Sequence, residues 1–289
     1  MLDFQRLTLA NAPMFRPFFT HTYSRLCDYV FGTLLIWRDM WPTYIAGYDD
    51  IVFIRTEVSK GQMSYMMPIA NDPAHAIDVL DSFDPGDKLF HNIPGSGIEL
   101  FKQRFRNVTV SPIEIGGDYI YEAESMATLS GRKLNGQRNH RNYFERTWKH
   151  HYDDITEVNV DDVKAFIDHK AVPASSALFE EGNRKTLEVL ENPDIYNVST
   201  MVLYAEGKVA GFTLGTLLGD TLYVTVEQAD RDYRGAYPKL ASAFVSKHLD
   251  KGALFVNRED DIGNEGLRKA KLSWNPCEVV ERFSISVSV

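Results

Sequence analysis

Eight of the fourteen residues from Arg258 to Lys271 are charged, four of each sign, between the apolar run Ala253 to Val256 and Trp274. Such a stretch supports two readings. The first is a solvated helix with its entry loop. Glu259, Asp260 and Asp261 precede the helix and Arg268, Lys269 and Lys271 lie toward its end, the order a helix dipole favours. The second is a site for a charged substrate, since Asn257 and Arg258 emerge where a buried strand ends and Gly263 follows. Dipole matching does not call for those features. Carboxylates so placed can move protons, and the cations can hold anionic oxygens. Glu259, Asp260 and Asp261 lack calcium-loop spacing, so no metal is expected.

Two further stretches carry chemistry-bearing residues. From Gly131 to His151 there are six basic residues and one acid, a net +5 in a chain of net charge −9. On a helix Arg138, Arg141 and Glu145 share one stripe, with Asn139, Asn142 and Arg146 on the next. Arginine forks suit phosphate or carboxylate oxygens, so Arg138, Asn139 and Arg141 are candidate substrate-binding residues. A solvated helix is the plain alternative. The other stretch is the loop after a strand ending near Glu227, which carries Arg234, Gly235 and Tyr237 into a helix. Glu227 can face a cleft there as a catalytic carboxylate, or form an ordinary strand-end salt bridge.

These residues need elements to position them. In the second half, "STMVLYAEGKVAGFTLGTLL" gives two strands turning at Glu206-Gly207-Lys208, and "TLYVTVEQA" a third. A helix from about Tyr237 to Leu249 has apolar residues at helical spacing and stops before Gly252. Then come strand "ALFVN", a short helix around "EGLRKAKL" and a last strand alternating Phe283, Ile285, Val287 and Val289 with serines. Helical sequence near 161–170 and 175–191 precedes this series. The first half repeats the order: helical sequence from Phe15 to Trp37, a hairpin at Tyr48-Asp49-Asp50, then strand, helix, strand, helix and strands. One long basic helix, about Ala127 to Lys149, is expected to join the halves. Three segments follow: 1–125, 126–150 and 151–289.

This order resembles that of the GNAT acyltransferases. The fold class expected is therefore α+β, two GNAT-like domains in tandem, each a mixed, mostly antiparallel sheet flanked by helices. In that fold the third and fourth strands are parallel and splay apart, and the acyl donor lies in the gap. The next helix aims its N-terminus at the donor's phosphates. The coenzyme A loop usually reads Gln/Arg-x-x-Gly-x-Gly/Ala. Here Asp232 stands three before Gly235 and Tyr237 two after it, so that spacing fails.

Bulk properties narrow the class. With 289 residues, 44% hydrophobic and 25% charged, the chain can bury a full core. A net charge of −9 argues against a surface basic all over for nucleic acid, though a local patch remains. Cys27 and Cys277 have no metal-ligand spacing and read as buried small hydrophobes. The longest apolar run, Tyr29 to Trp37, is far below the roughly 18 residues that span a bilayer. No secretory signal is visible, so the expected location is cytoplasmic.

"DYIYEAESMATLSGRKLNGQRNHRNYF" and "FVNREDDIGNEGLRKAKLSWNP" resemble the C-terminal catalytic domain of bacterial phosphatidylglycerol lysyltransferases, and more closely its stand-alone soluble relatives. That family is related to Fem-type peptidyltransferases. The resemblance implies a transferase that moves an aminoacyl group from aminoacyl-tRNA to a lipid, peptide or small-molecule acceptor, with no cofactor. It implies Glu227 as base or amine-binding carboxylate, with Asn257, Arg258 and Asp260 lining the cleft. It sets Arg268 and Lys271 toward substrate phosphates, and Arg138 and Asn139 to close the site. The alternatives are an acetyl-CoA-dependent N-acetyltransferase and a non-catalytic module for an anionic ligand. Departures lie at Glu227-Gln228, where Glu-Lys is usual, at Ser273-Trp274 for Ser-Tyr, and at Glu281-Arg282-Phe283 for Lys-Lys-Tyr.

Overall fold

The computed structural model describes residues 2–20, 24–114, 116–170 and 177–288. They divide into two units. Unit 1 contains Met1–Asp118, Asp260–Gly263 and Val279–Val289, and unit 2 contains Tyr119–Glu259 and Asn264–Glu278. The division does not follow the expected segments 1–125, 126–150 and 151–289.

Unit 1 is built on a seven-stranded sheet in the order Gln5–Arg6, Thr43–Tyr48, Ile51–Ser59, Gln62–Tyr65, Lys88–Pro94, Arg282–Ser288, Asn107–Pro112. Only Gln62–Tyr65 and Lys88–Pro94 pair in parallel, at Tyr65 and Phe90. The helix Pro73–Phe83 starts where Asp72 accepts from the backbone N–H of Ala74 and His75, with Pro73 in the first turn. A cap of that type contributes about 1 kcal/mol. This helix buries Ala76, Ile77 and Leu80, a spacing that puts all three on one face. The helix Ile98–Arg104 buries Phe101, whose ring meets Phe90 at 4.6 Å.

Helical sequence is expected from Phe15 to Trp37. The described part holds only short pieces: Ala12–Phe15, the 3₁₀ turns Arg16–Phe18 and Cys27–Tyr29, and Phe31–Trp37. Pro17 supplies no N–H, and Leu26 and Val30 are extended. Residues 21–23 of that stretch lie outside the described residues.

A second seven-stranded sheet, built mainly from unit 2, is ordered Glu278–Val280, Asp118–Glu122, Phe255–Asn257, Thr221–Ala229, Lys208–Leu218, Ser199–Ala205, His150–Asp153. The hairpin Lys208–Leu218/Thr221–Ala229 carries a bulge at Leu214/Gly215. Gly215 is needed there, since a Cβ would lie 2.5 Å from the Tyr223 carbonyl. The helix Ala236–Leu249 buries Ala236, Leu240, Ala241, Phe244 and Val245 in the core of this unit. Helices Val160–Lys170 and Ala177–Glu191 precede its first hairpin, and residues 175–176 of the second expected helix fall outside the described residues.

Each sheet takes one interior strand from a distant part of the sequence. Arg282–Ser288 pairs antiparallel with Lys88–Pro94 in unit 1, although the sequence order assigned it to the second half. Asp118–Glu122 pairs antiparallel with Phe255–Asn257 in the second sheet. The expected single helix over Ala127 to Lys149 is two helices, Ala123–Thr128 and Asn135–Thr147. Leu129 (φ 54°) and Gly131 (φ 81°) are left-handed and cannot continue a right-handed helix. Cys277, expected to be buried, is exposed, while Cys27 is buried.

Candidate functional site

The two parallel strands at the centre of the second sheet part company after three residue pairs. Thr221, Leu222 and Tyr223 face Phe255, Val256 and Asn257, and the pairing ends there. The strand Thr221–Ala229 runs on to Ala229, held by its other neighbour, where Glu227 faces Thr213. Asn257 is the last residue of the shorter strand. The gap so opened is the place where an extended substrate can reach between strands without meeting a ladder of paired backbone groups.

Glu227 and Arg258 meet in this gap. Arg258 Nη2 donates to Glu227 Oε1 at 2.6 Å, with side-chain exposures of 15% and 9%. A pair this sheltered is screened less by salt than a surface pair. The Arg258 guanidinium also lies 4.8 Å from the Trp274 ring and 5.9 Å from that of Tyr121. Planar, weakly hydrated guanidinium suits such aromatic surfaces. Burial pushes the Tyr121 phenol above its ordinary pKa. Tyr237 is also raised, first by burial and then by the nearby Glu227 carboxylate, against a backbone hydrogen bond at Ala229.

Lys271 secures the loop that presents Arg258. Its Nζ donates to the carbonyls of Arg258 and Glu259, the latter at 3.1 Å, and lies 5.8 Å from the Tyr119 ring. Tyr121 Oη donates to the Lys271 carbonyl at 2.9 Å, tying the helix Glu265–Leu272 to the strand beneath. That helix begins at Asn264, whose side chain accepts from the Leu267 N–H. Asn257 is fully buried, and its Oδ1 accepts from the Glu259 N–H at 2.5 Å. It braces the turn in which Glu259 adopts φ 57°.

Of the residues singled out from sequence, Glu227, Arg258, Lys271 and Tyr237 therefore gather at the gap, with Asn257 supporting them from below. Asp260 belongs to unit 1. Its carboxylate accepts from Arg282 Nη1 at 3.0 Å, and Arg282 also pairs with Asp28 at 2.7 Å and with buried Asp118. Burial would lower the Arg282 pKa, but these carboxylates hold it above its ordinary value. Burial raises Asp260, partly offset by Arg282. Among the described residues no cluster of His, Cys, Asp and Glu is arranged to hold a metal.

Two arginines of the basic segment are engaged by backbone carbonyls within unit 2. Arg138 donates to the Leu129 and Gly131 carbonyls at 2.6 and 3.0 Å and to Asn135 Oδ1 at 3.0 Å. Arg141 reaches the Thr128 carbonyl at 3.3 Å and lies 3.9 Å from Glu145. Both guanidiniums hold the break between the two helices in shape. Asn139 and Arg268 are exposed, and Arg234 lies 4.8 Å from the Tyr143 ring. The exposed cations of this segment are Arg132, Lys133, Arg146 and Lys149.

One side of the N-terminus of the helix Ala236–Leu249 packs against the helix Asn135–Thr147. Gly235 (φ 93°) packs so closely on the helix Asn135–Thr147 that a Cβ there would lie 2.1 Å from the His140 carbonyl oxygen and 3.0 Å from Phe144 Cβ. The Ala236 N–H already donates to the Tyr233 carbonyl at 2.9 Å. Sequence reasoning missed Tyr121 and Trp274 as the aromatic bed of Arg258, and Arg282 as the centre of a charge cluster. Trp274 at the end of the charged helix was the available signal, since an aromatic there has to pack on something.

The sequence matches the family described as "Phosphatidylglycerol lysyltransferase, C-terminal" over residues 21–286. It is 26% identical over 184 residues to an uncharacterised protein of Mycoplasmoides gallisepticum, covering 60% of this chain and 57% of that one, so the matched part spans little more than half of that relative. A solved structure of a conserved protein of unknown function from Bacteroides thetaiotaomicron is 27% identical with TM-score 0.84 over 100% of both chains. The C-terminal domain of a protein provisionally described as a lysylphosphatidylglycerol synthetase, from Agrobacterium fabrum, aligns at TM-score 0.64 and 11% identity, over 96% of this chain and 92% of that one. At that identity the likeness is one of fold. No helix among the described residues is long and apolar enough to cross a membrane.

Proposed function

The chain belongs to the phosphatidylglycerol lysyltransferase C-terminal family, and from that footing we propose that it moves an aminoacyl group from aminoacyl-tRNA to a nucleophilic acceptor in the gap beside Glu227. Family and tandem GNAT-like fold are those of acyl- and aminoacyl-transferases. The observation that carries the finer reading is the sheltered Glu227–Arg258 pair where the parallel strands separate. The acceptor's O–H or N–H gives its proton to Glu227 as the acceptor atom bonds the ester carbonyl carbon. Arg258 stabilises the oxyanion that develops. The bond to the ribose oxygen then breaks, and that oxygen takes the proton back from Glu227.

The His140 carbonyl packed on Gly235, with Asp232 and Tyr237 where the coenzyme A loop spacing needs other residues, favours tRNA over coenzyme A as donor. A pyrophosphate needs open N–H groups at such a terminus, and the His140 carbonyl stands against Gly235. For a tRNA, the exposed Arg132, Lys133, Arg146 and Lys149 offer backbone-phosphate contacts. The acceptor class, whether lipid headgroup, peptide or small amine, is left to the assay.

The test incubates the full chain with charged tRNAs and with phosphatidylglycerol vesicles, short peptides or amines. Ester loss accelerated by one acceptor, with the aminoacylated acceptor as product, is the expected result. Ester loss at the buffer rate in every combination overturns the proposal. Charged tRNA bound without turnover would instead make the chain a binding module, and stabilisation by acetyl-CoA would restore the acetyltransferase reading.

A further inference from the structure

Each seven-stranded sheet ends on two edge strands, whose outer backbone groups can pair with another chain unless something guards them. Three of the four edges are guarded by shortness or charge. Gln5–Arg6 has two residues and Glu278–Val280 three, while His150–Asp153 has four and exposes His151 and Asp153. The fourth edge, Asn107–Pro112 in unit 1, has six residues and no charged side chain. It pairs with Arg282–Ser288 along its whole length without a bulge. Among the described residues no strand flanks its outer side.

The hydrogen-bond phase of this edge is fixed. The Ile113 N–H donates to the Arg282 carbonyl at 2.9 Å, which makes those two residues a hydrogen-bonded pair of the ladder. Alternation then turns the N–H and C=O of Asn107, Thr109 and Ser111 inward, toward Arg282–Ser288, and those of Val108 and Val110 outward. Side chains alternate as well. Val108 and Val110 are half-buried opposite the buried Val287 and Ile285, while Asn107, Thr109 and Ser111 are exposed. Pro112 takes an outward position, where its missing N–H costs no bond to Arg282–Ser288.

We propose that Asn107–Pro112 is a self-association edge, on which a second copy of this chain lays its own Asn107–Pro112 antiparallel about a two-fold axis at Thr109. In that register Val108 faces the partner's Val110, and Val110 faces the partner's Val108. Every outward N–H then meets an outward C=O, and the hydrogen bonds form reciprocally. A shift of one residue sets outward groups against inward ones and loses them. On the half-buried face the valines make two cross-strand pairs that continue the apolar row of Val287 and Ile285. On the exposed face Thr109 meets the partner's Thr109 and Asn107 the partner's Ser111, so no like charges oppose. This self-complementarity is what selects a second copy over a foreign strand. One strand pair is small beside the roughly 1,200–2,000 Å² of a stable interface, so the dimer is reversible and forms as concentration rises. The proposal stands independently of aminoacyl transfer.

The test is sedimentation equilibrium of the full chain from micromolar to near-millimolar concentration. The mass should rise from the 32.9 kDa of one chain toward twice that value. Thr109→Lys and Thr109→Glu alter an exposed side chain, and thermal melting checks that both variants fold. Each sets like charges opposite one another at the two-fold axis and should weaken association about fivefold. Mixed in equal amounts, the two variants oppose Lys to Glu and should recover the association that each lacks alone. The proposal is overturned by a chain that stays at 32.9 kDa throughout, by association that neither variant weakens, or by a mixture that associates no better than either variant.

Discussion

Arg258 Nη2 and Glu227 Oε1 stand 2.6 Å apart beside the point where Tyr223 and Asn257 make the last parallel pairing of the second sheet. The two residues come from the ends of neighbouring strands, and only the separation of those strands gives them a common space. The pair sets the carboxylate in one orientation before a substrate arrives.

If Glu227 is the proton acceptor, Glu227→Gln should lower aminoacyl transfer by about 10²–10⁴-fold, the usual contribution of a general base. Gln keeps an oxygen for Arg258 but removes the opposing charge, so the melting temperature should fall while the affinity for charged tRNA changes little. Single-turnover ester loss beside filter binding checks both. A parallel fall in affinity would mean that Glu227 holds substrate and takes no proton.

Arg282 neutralises Asp28, Asp118 and Asp260 inside unit 1. Arg282→Met should therefore cost about 3–5 kcal/mol at pH 7, since removing one partner of a buried ion pair leaves charge uncompensated. In the variant Asp260, already raised by burial, loses the guanidinium that offsets that shift, so it binds a proton more readily folded than unfolded and the deficit should shrink as pH falls toward 5. Urea unfolding at both pH values measures this. A deficit that grew at pH 5 would contradict the assignment.

Gly235→Ala should destabilise the chain by about 2 kcal/mol or more. The added Cβ would meet the His140 carbonyl oxygen at 2.1 Å, at a backbone φ of 93° that side chains rarely adopt. Thermal unfolding reports the loss directly. A neutral substitution would show that the helix start is more open than its packing implies.

Replacing Arg132, Lys133, Arg146 and Lys149 together by alanine should weaken tRNA binding and flatten its salt dependence, by about 0.7–0.9 in slope per lost phosphate contact. Arg138→Ala should lower the melting temperature instead, because its guanidinium holds the Leu129 and Gly131 carbonyls. Affinity measured from low to moderate salt separates the two. An Arg138 variant that lost tRNA affinity at unchanged stability would return that residue to the substrate-binding set.

The sequence alone determined the local elements and the positions of the gap's charged pair. Alternation in "TLYVTVEQA", the Leu240 and Phe244 spacing and the turn at Glu206-Gly207-Lys208 are set by residues two to four apart, so they are readable along the chain. The same reading put Glu227 at the end of the third strand and Arg258 just past the fourth. Tertiary structure decided which strands share a sheet, and it gave Arg282–Ser288 to unit 1 and Asp118–Glu122 to the second sheet. Pairing between segments more than a hundred residues apart leaves no local period. It also decided side-chain partners. Arg138 and Arg258 are alike in sequence, but one faces backbone carbonyls left open by a broken helix and the other an aromatic bed beside a carboxylate. A guanidinium bonds whatever acceptors the fold brings within 3 Å, and only the folded chain fixes what those are.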